Sequence, residues 1–460
     1  MIKIKQYFGD KSFYIRVLKI SVPIMVQNAI TNLVSMLDNV MIGALGTEPM
    51  SGVSIVNQLL FVFSMVIFGA GAAVGIFTSQ YHGAGDTDGV RSTFRMKVYT
   101  NLAITLITCI LLLSFGNAAV SLFLHDDGSG ADLEATLDFG LQYMRIMLIG
   151  LVPYAMSQAY ASTLRETGET KLPMYAGFAA ILCNCSLNFV LIFGLLGFPA
   201  LGVQGAAIAT VISRFAELFV LILCVHKNSV KYAFIKGVYR SLRVPINTVH
   251  DIIRRGFPLL FDELLWSLAM TVRNQCLSTA GLESVAALNI QTTMFNVMNI
   301  AYLALGNSIA IIIGNMLGAG KLEEARAENK RLLTFATLGG VIMGALQIAL
   351  SPIFPLLYNT SDSTRDLATY MLIVSGISMA ANSYVVATYY TLRSGGLSVL
   401  TMLYDCVYAW VFTVPTAFVL AYFTNVGIYV MFPAVIFVES AKCFVGFLLV
   451  SKAGWVRKIT

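Results

Sequence analysis

Apolar stretches of about 20 residues or more recur along the whole 460-residue chain, each closed by glycine, proline or charge. They place membrane spans at 14–44, 49–80, 92–116, 136–158, 172–196, 202–226, 249–279, 284–316, 328–351, 366–390, 396–422 and 426–450. The stretches lack the alternation of apolar and polar positions that a membrane barrel requires, so their backbone groups must be satisfied within helices. This pattern predicts an all-α membrane protein of twelve transmembrane helices. The first, second, seventh and eighth spans exceed what a bilayer needs, which predicts tilt, bending or projection into water.

The pattern also repeats. Gln80-Tyr-His-Gly83-Ala84-Gly85, followed by Asp86 to Arg91, resembles Asn315-Met-Leu-Gly318-Ala319-Gly320, followed by Lys321 to Arg326, at an offset of 235. Pro23 and Pro258 share that offset, whereas Thr163-Leu164-Arg165 and Thr391-Leu392-Arg393, and Arg214 and Lys442, lie 228 apart. The expected organisation is an N-terminal six-helix bundle over 1–226, a basic connector over 227–248 and a C-terminal six-helix bundle over 249–460. An even number of spans separates the copies, so both halves insert with the same orientation around a central cleft, as alternating-access transporters do.

Composition agrees with lipid as the solvent: 57% of residues are hydrophobic and 12% charged, with a mean hydropathy of +0.77. Lys and Arg near the chain ends, at 91–97, 165–171, 227–255 and 321–331, and at Arg393 fall on one side of the predicted spans. That side is expected to be cytoplasmic, with both termini, in a cell membrane. The opposite loops carry Asp126, Asp127, Asp132 and Glu134, with Arg365 as a cation. The basic start of the chain runs into a long apolar segment without a small-residue cleavage site, so no cleaved signal is expected.

A net charge of +6 spread over short loops reflects orientation rather than nucleic-acid binding. Seven cysteines without paired spacing predict neither disulfides nor zinc. His82, His125, His226 and His250 fall in loops or at span ends. No phosphate-binding, dinucleotide or nucleophile-elbow motif is present, so no enzyme activity and no organic cofactor are expected.

The informative chemistry is therefore ionisable groups far from span ends, each costly in a helix centre unless paired or wet. Asp38 lies in Ser35-Met-Leu-Asp38-Asn39-Val-Met-Ile-Gly43 with no Lys or Arg at helical reach. A lone carboxylate there either binds and releases a proton or, with asparagines such as Asn39, ligates sodium. Asp262 and Glu263 follow Pro258 in the seventh span, about 100° apart on a helix, so only one can face a small site. Glu263 is assigned to the site and Asp262 to a neighbouring helix. Asp405, near Trp410, is a further cleft candidate. Arg273 is expected to neutralise an acid or reach an interface. Arg214 with Glu217, and Glu439 with Lys442, have the spacing of self-neutralising pairs. Pro23 and Pro258 are hinge candidates.

These residues together resemble the multidrug and toxic compound extrusion family. The resemblance is carried by Pro23 with Asp38-Asn39-Val-Met-Ile-Gly43, the two x-x-Gly-Ala-Gly segments after Gln80 and Asn315, Leu164-Arg165-x-x-Gly168-x-Thr170, and Leu187-Asn188-Phe-Val-Leu-Ile-Phe-Gly194. It implies Asp38 as the first-helix coupling carboxylate, with Asn184 and Asn188 in the fifth-helix motif. Asn188 stands where the DinF-like branch has Asp, which places the chain on the NorM-like side of the family within the MOP flippase superfamily. Glu263 is similar to the seventh-helix acid of a second cation site, and Asn382 occupies the position of its tenth-helix companion.

The resemblance implies a monomeric secondary antiporter that exports amphipathic organic cations in exchange for inward sodium ions or protons, with sodium held at Asp38 or Glu263. A lipid-linked oligosaccharide flippase of the same superfamily is the nearest alternative, although such a site needs several cations to meet phosphate and the central spans offer few. A receptor or scaffold without transport is the alternative from another class.

Overall fold

The computed structural model describes residues 7–123, 132–241, 243–358, 360–424 and 426–460; the loop residues His125, Asp126 and Asp127 lie outside the described residues. Twelve long helices follow one another there: α1 (Lys11–Gly43), α2 (Thr47–Gly83), α3 (Thr87–Ser121), α4 (Leu133–Glu166), α5 (Lys171–Phe193), α6 (Gly202–Lys227), α7 (Ile246–Ser278), α8 (Leu282–Gly318), α9 (Leu322–Leu350), α10 (Asp362–Ser394), α11 (Ser398–Tyr422) and α12 (Ile428–Ser451). Eleven are long and apolar enough to cross a membrane. The exception is α7, whose length suffices but which carries Arg254, Arg255, Asp262, Glu263 and Arg273.

Three helices exceed their predicted spans by the largest margins. α3, α4 and α10 span 35, 34 and 33 residues, because capped and charged turns extend them past their apolar cores. Asp86 accepts from the Gly89 amide at 2.8 Å to start α3, and Asp132 accepts from the Glu134 and Ala135 amides, both at 3.0 Å, to start α4. Such caps satisfy amide donors that the first turn leaves free.

Neither Pro23 nor Pro258 breaks its helix. In α11 the backbone departs from α geometry: Leu403–Val407 and Ala409–Thr413 are π-helical turns ahead of Pro415. Proline withholds a ladder donor, and wide turns beside it absorb the mismatch.

The chain divides into two compact units. One comprises Val26–Thr78 and Asp86–His250. Its core joins Met41, Val53, Phe63, Tyr143, Leu151 and Ile192, with α4 packed on α3 and α6 and α5 on α6. The other comprises Met1–Met25, Ser79–Gly85 and Asp251–Thr460; there α10 packs on α8, α9 and α12. The pairings α3–α4 and α4–α6 recur six helices later as α9–α10 and α10–α12.

The backbone repeats as well. Left-handed glycines pair at the offsets read from sequence: Gly46 with Gly281 and Gly85 with Gly320 at 235, and Gly168 with Gly396 at 228. Within the second unit the two Gly-Ala-Gly copies meet each other. A Cβ on Gly83 would strike the backbone of Asn315, and one on Gly318 the backbone of Gln80. Small residues permit that approach, as at other close helix crossings in membranes.

In the first unit the segment after α6 is tied down by carbonyl-to-guanidinium bonds. Arg95 donates to Val238 O at 2.7 Å and Arg243 O at 3.2 Å, and Arg91 to Phe234 O at 3.3 Å. Glu169, in the turn before α5, forms an ion pair with Lys231. Burial pushes the Glu169 carboxyl up, but the Lys231 ammonium together with the backbone amides of Leu172 and Lys171 outweighs it and holds the group below the usual carboxylate range. A depressed carboxyl contributes stability above its unfolded pKa and loses it as pH falls through the folded value. Lys231 is 63% exposed, so the contribution is small. Amide exchange over 231–240 in Glu169→Gln is therefore expected to exceed the wild type's at pH 7, and the ratio to approach one as acid protonates Glu169. A ratio independent of pH contradicts this account.

Candidate functional site

Asp38 sits on α1, and its partner comes from α5. Asn188 Nδ2 donates to Asp38 Oδ1 at 2.6 Å and lies 3.2 Å from Asn184 Oδ1, one turn earlier on the same face. Asn184 in turn donates to Thr210 Oγ1 on α6 at 3.2 Å. Asn184 and Asn188 are 4% and 1% exposed, so this polar chain is built into helix packing. Asn188 Oδ1 has no hydrogen-bond partner, an acceptor left over in an otherwise satisfied row. The row therefore brings together Asp38, Asn184 and Asn188, all singled out from sequence. Asn39, the next residue along α1, is exposed and does not join it.

Arg214 stands one turn beyond Thr210. Its guanidinium lies 4.7 Å from the Tyr154 ring centroid and 3.7 Å from Glu217, so the i,i+3 pairing read from sequence holds. Thr210 and Arg214 line a cavity of about 50 Å³ with Leu60, Phe63 and Tyr154. That volume admits a few water molecules and is far below the ~300 Å³ of a drug-sized pocket. The cavity meets the polar row at Thr210 and is too small to hold an organic substrate.

The second unit holds the other acids. Asp262 is 1% exposed and neither carboxylate oxygen has a hydrogen-bond partner. Glu263 is half-buried and accepts from Tyr389 Oη on α10 at 3.4 Å. Asp405, in the first π-helical turn of α11, forms an ion pair with Lys442 on α12. Asn382 is spent on its own helix, donating to Ser378 Oγ at 3.3 Å.

One expected pairing is corrected. Glu439 does not neutralise Lys442; it accepts from Arg273 Nη1 at 2.6 Å, and Lys442 turns to Asp405. Helical spacing put Glu439 and Lys442 within reach of each other, but acids and bases on neighbouring helices offered better-placed partners. Arg273 accordingly neutralises an acid, as expected. Sequence reasoning missed the Asp405–Lys442 pair and the roles of Thr210 and Tyr389. The match of Lys442 to Arg214 at the repeat offset was the signal pointing to a cation directed into the bundle.

A buried pair in α3 was also missed: Lys97, wholly buried, forms an ion pair with Glu166 and donates to Thr163 Oγ1 at 3.2 Å. Among the described residues, no group of three or more His, Cys, Asp and Glu side chains is arranged to hold a metal ion. Asp38, with amide and hydroxyl oxygens along its row, offers ligands suited to a proton or to a hard monovalent cation acting as cargo.

Comparison with known proteins agrees with this architecture. The chain is 24% identical over 420 residues to the probable multidrug resistance protein NorM of Thermotoga maritima, covering 89% of this chain and 86% of that protein. It is 25% identical over 423 residues to the probable multidrug resistance protein YoeA of Bacillus subtilis, covering 90% and 89%. The fold is shared with the crystal structure of a MATE in complex with MaD3S, at a TM-score of 0.84 and 20% identity over 98% of this chain and 97% of that one. The MatE family profile matches residues 23–190 and 258–422, one stretch in each half of the repeat, and the chain therefore belongs to the MatE family of membrane transporters.

Proposed function

We propose that this protein is a secondary antiporter that exports amphipathic organic cations, drugs and toxic compounds among them, in exchange for inward sodium ions or protons. The observation that carries this reading is Asp38: a carboxylate within a membrane-spanning helix whose hydrogen-bond partner is the neutral amide of Asn188. An intramembrane acid held by an amide rather than a cation retains its appetite for a small positive ion. The multidrug resistance names of the relatives support the substrate class.

The two halves of the repeat, 1–226 and 249–460 with 227–248 between them, act as the moving bodies of an alternating-access cycle, and Pro23 and Pro258 mark where α1 and α7 bend. Binding of the ion favours one state only to the extent that its affinity differs between the states. Asp38 supplies that difference in the first half, and Glu263 in the second. The protein works as a monomer in the cell membrane, with both termini in the cytoplasm.

The test is efflux of a fluorescent lipophilic cation from proteoliposomes holding the purified protein, with a sodium gradient and a proton gradient imposed separately. Flux driven by one gradient identifies the coupling ion. Absence of flux under both refutes the antiporter reading and directs attention to flipping of a lipid-linked oligosaccharide.

A further inference from the structure

The turn between α10 and α11, in the second unit, gathers positive charge with no acid to meet it. Arg255 on α7 donates from Nη1 to Gly396 O at 3.1 Å. Arg457, beyond the end of α12, donates to the same oxygen from Nη2 at 2.9 Å and to Gly395 O from Nε at 2.8 Å. Two guanidiniums that share one acceptor lie side by side. Among the described residues neither forms an ion pair, and Asp251, one turn before Arg255 on α7, pairs with neither. Burial, and then the like charge of Arg255, push the Arg457 guanidinium down from its ordinary value.

The backbone around the pair is fixed. The Arg457 carbonyl accepts from Gln80 Nε2 at 3.4 Å, and the Ile459 amide donates to Gln80 Oε1 at 2.8 Å. Trp455 is 1% exposed, and its backbone lies so close to Gly395 that a Cβ there would strike it. Each guanidinium carries five N–H donors. The two spend three on the turn and keep the rest for an acceptor beside them.

The internal repeat shows what fills this place in the other half. At the offset of 228, Gly396 corresponds to Gly168 and Leu397 to Glu169. In the first half the segment after α6 likewise returns to the turn, where Lys231 forms an ion pair with Glu169 and Tyr232 Oη donates to the same carboxylate at 3.4 Å. The first half thus supplies its own anion, whereas the second has leucine there and two guanidiniums. The turn also stands where apolar helix surface ends. Exposed Val399 and Leu403 follow it on α11, and exposed Phe444, Phe447 and Leu448 precede the C-terminal segment on α12. Acyl chains cover such faces and set a headgroup phosphate at the level of the turn.

We propose that Arg255 and Arg457 form a binding site for a phosphate group, carried by the headgroup of an anionic membrane lipid, which joins α7 and the C-terminal segment to this turn as Glu169 joins its own segment in the first half. Arginine meets phosphate with paired N–H donors and keeps its charge throughout the physiological range. The site does not depend on the antiporter reading.

The test melts the purified full chain in a neutral detergent with added phosphatidylglycerol and with added phosphatidylcholine, and separately in sodium phosphate and in sodium chloride at equal sodium concentration. The wild-type gain in phosphatidylglycerol includes lipid at every basic surface, so the decisive quantity is the part that Arg255→Gln removes. That part is expected to be roughly 2 °C, since a ligand bound only to the folded state raises its melting temperature. Arg457 still donates to Gly396 O in this variant, so the carbonyl keeps a donor. Arg254→Gln, which deletes the same charge from an exposed neighbour, is expected to keep the full gain. Leu397→Glu, which supplies the carboxylate of the first half, is expected to lose as much of the gain as Arg255→Gln, and it decides by the same comparison if Arg255→Gln does not fold. A full gain in Arg255→Gln or Leu397→Glu, or an equal loss in Arg254→Gln, overturns the site. A gain that needs Arg255 but comes from inorganic phosphate and not from phosphatidylglycerol upholds the phosphate site and overturns the lipid as its carrier.

Discussion

Asp38→Asn is expected to cut gradient-driven export by about tenfold or more, the scale of a typical coupling free energy between two ligands, while the protein folds as before. The substitution keeps the shape of the side chain and its acceptor oxygen, so the 2.6 Å bond from Asn188 survives. Only the charge is lost. Removing a charge from a spanning helix relieves a cost rather than adding one, so the melting temperature should hold or rise. Uptake of a fluorescent cation into inverted vesicles, or its efflux from proteoliposomes, measures the loss. Binding of the organic cation, measured separately without a gradient, should fall far less than flux. Undiminished coupled flux in Asp38→Asn would remove the first half from the coupling machinery and leave the acids of the second half to account for it.

A second large effect is expected where the two Gly-Ala-Gly copies cross. Gly83→Ala and Gly318→Ala each place a methyl group against backbone atoms, those of Asn315 and Gln80 respectively. A flexible side chain can turn away from an added carbon, but a helix backbone must shift as a body. Each substitution is therefore expected to cost about 3 kcal/mol or more, at the upper end of overpacking effects. Gln80 makes the position more sensitive. It is fully buried, its amide donates to Ser394 O at 3.0 Å, and its carbonyl accepts from the Ile459 amide at 2.8 Å. Displacing α2 there loosens both the turn after α10 and the C-terminal segment. Thermal unfolding and size-exclusion profiles in detergent measure the effect. Gly71→Ala on the same helix is the control, since its Cβ would meet nothing within 4 Å and alanine is the better helix former. Equal stability of all three variants would mean that the crossing is slack.

Much of the architecture was legible because lipid imposes a simple rule on sequence: long apolar runs become helices, and charge marks where they end. Twelve helices appear on the twelve predicted spans, several of them extended past the predicted ends, and the repeat read from Gly83, Gly318 and the Thr-Leu-Arg segments reappears in the left-handed glycines. The misjudged lengths of α3, α4 and α10 share one cause: a helix continues beyond the hydrocarbon wherever caps and polar turns sustain it, and apolar pattern is silent there. The π-helical turns of α11 left no comparable mark beyond Pro415 and could not be located from periodicity.

The identities of the buried acids were likewise visible in sequence, because an ionisable residue inside an apolar run stands out against its neighbours. Their partners were not. Helical spacing ranks only neighbours three or four residues away, and that ranking paired Glu439 with Lys442. Asp38 meets Asn188 across 150 residues, Arg273 meets Glu439 across 166, and Lys442 meets Asp405 across 37. Sequence by itself determined which groups must be accommodated inside the membrane, since the cost of burial belongs to each residue. Tertiary structure alone decided how each is accommodated, since that depends on which helix faces pack together.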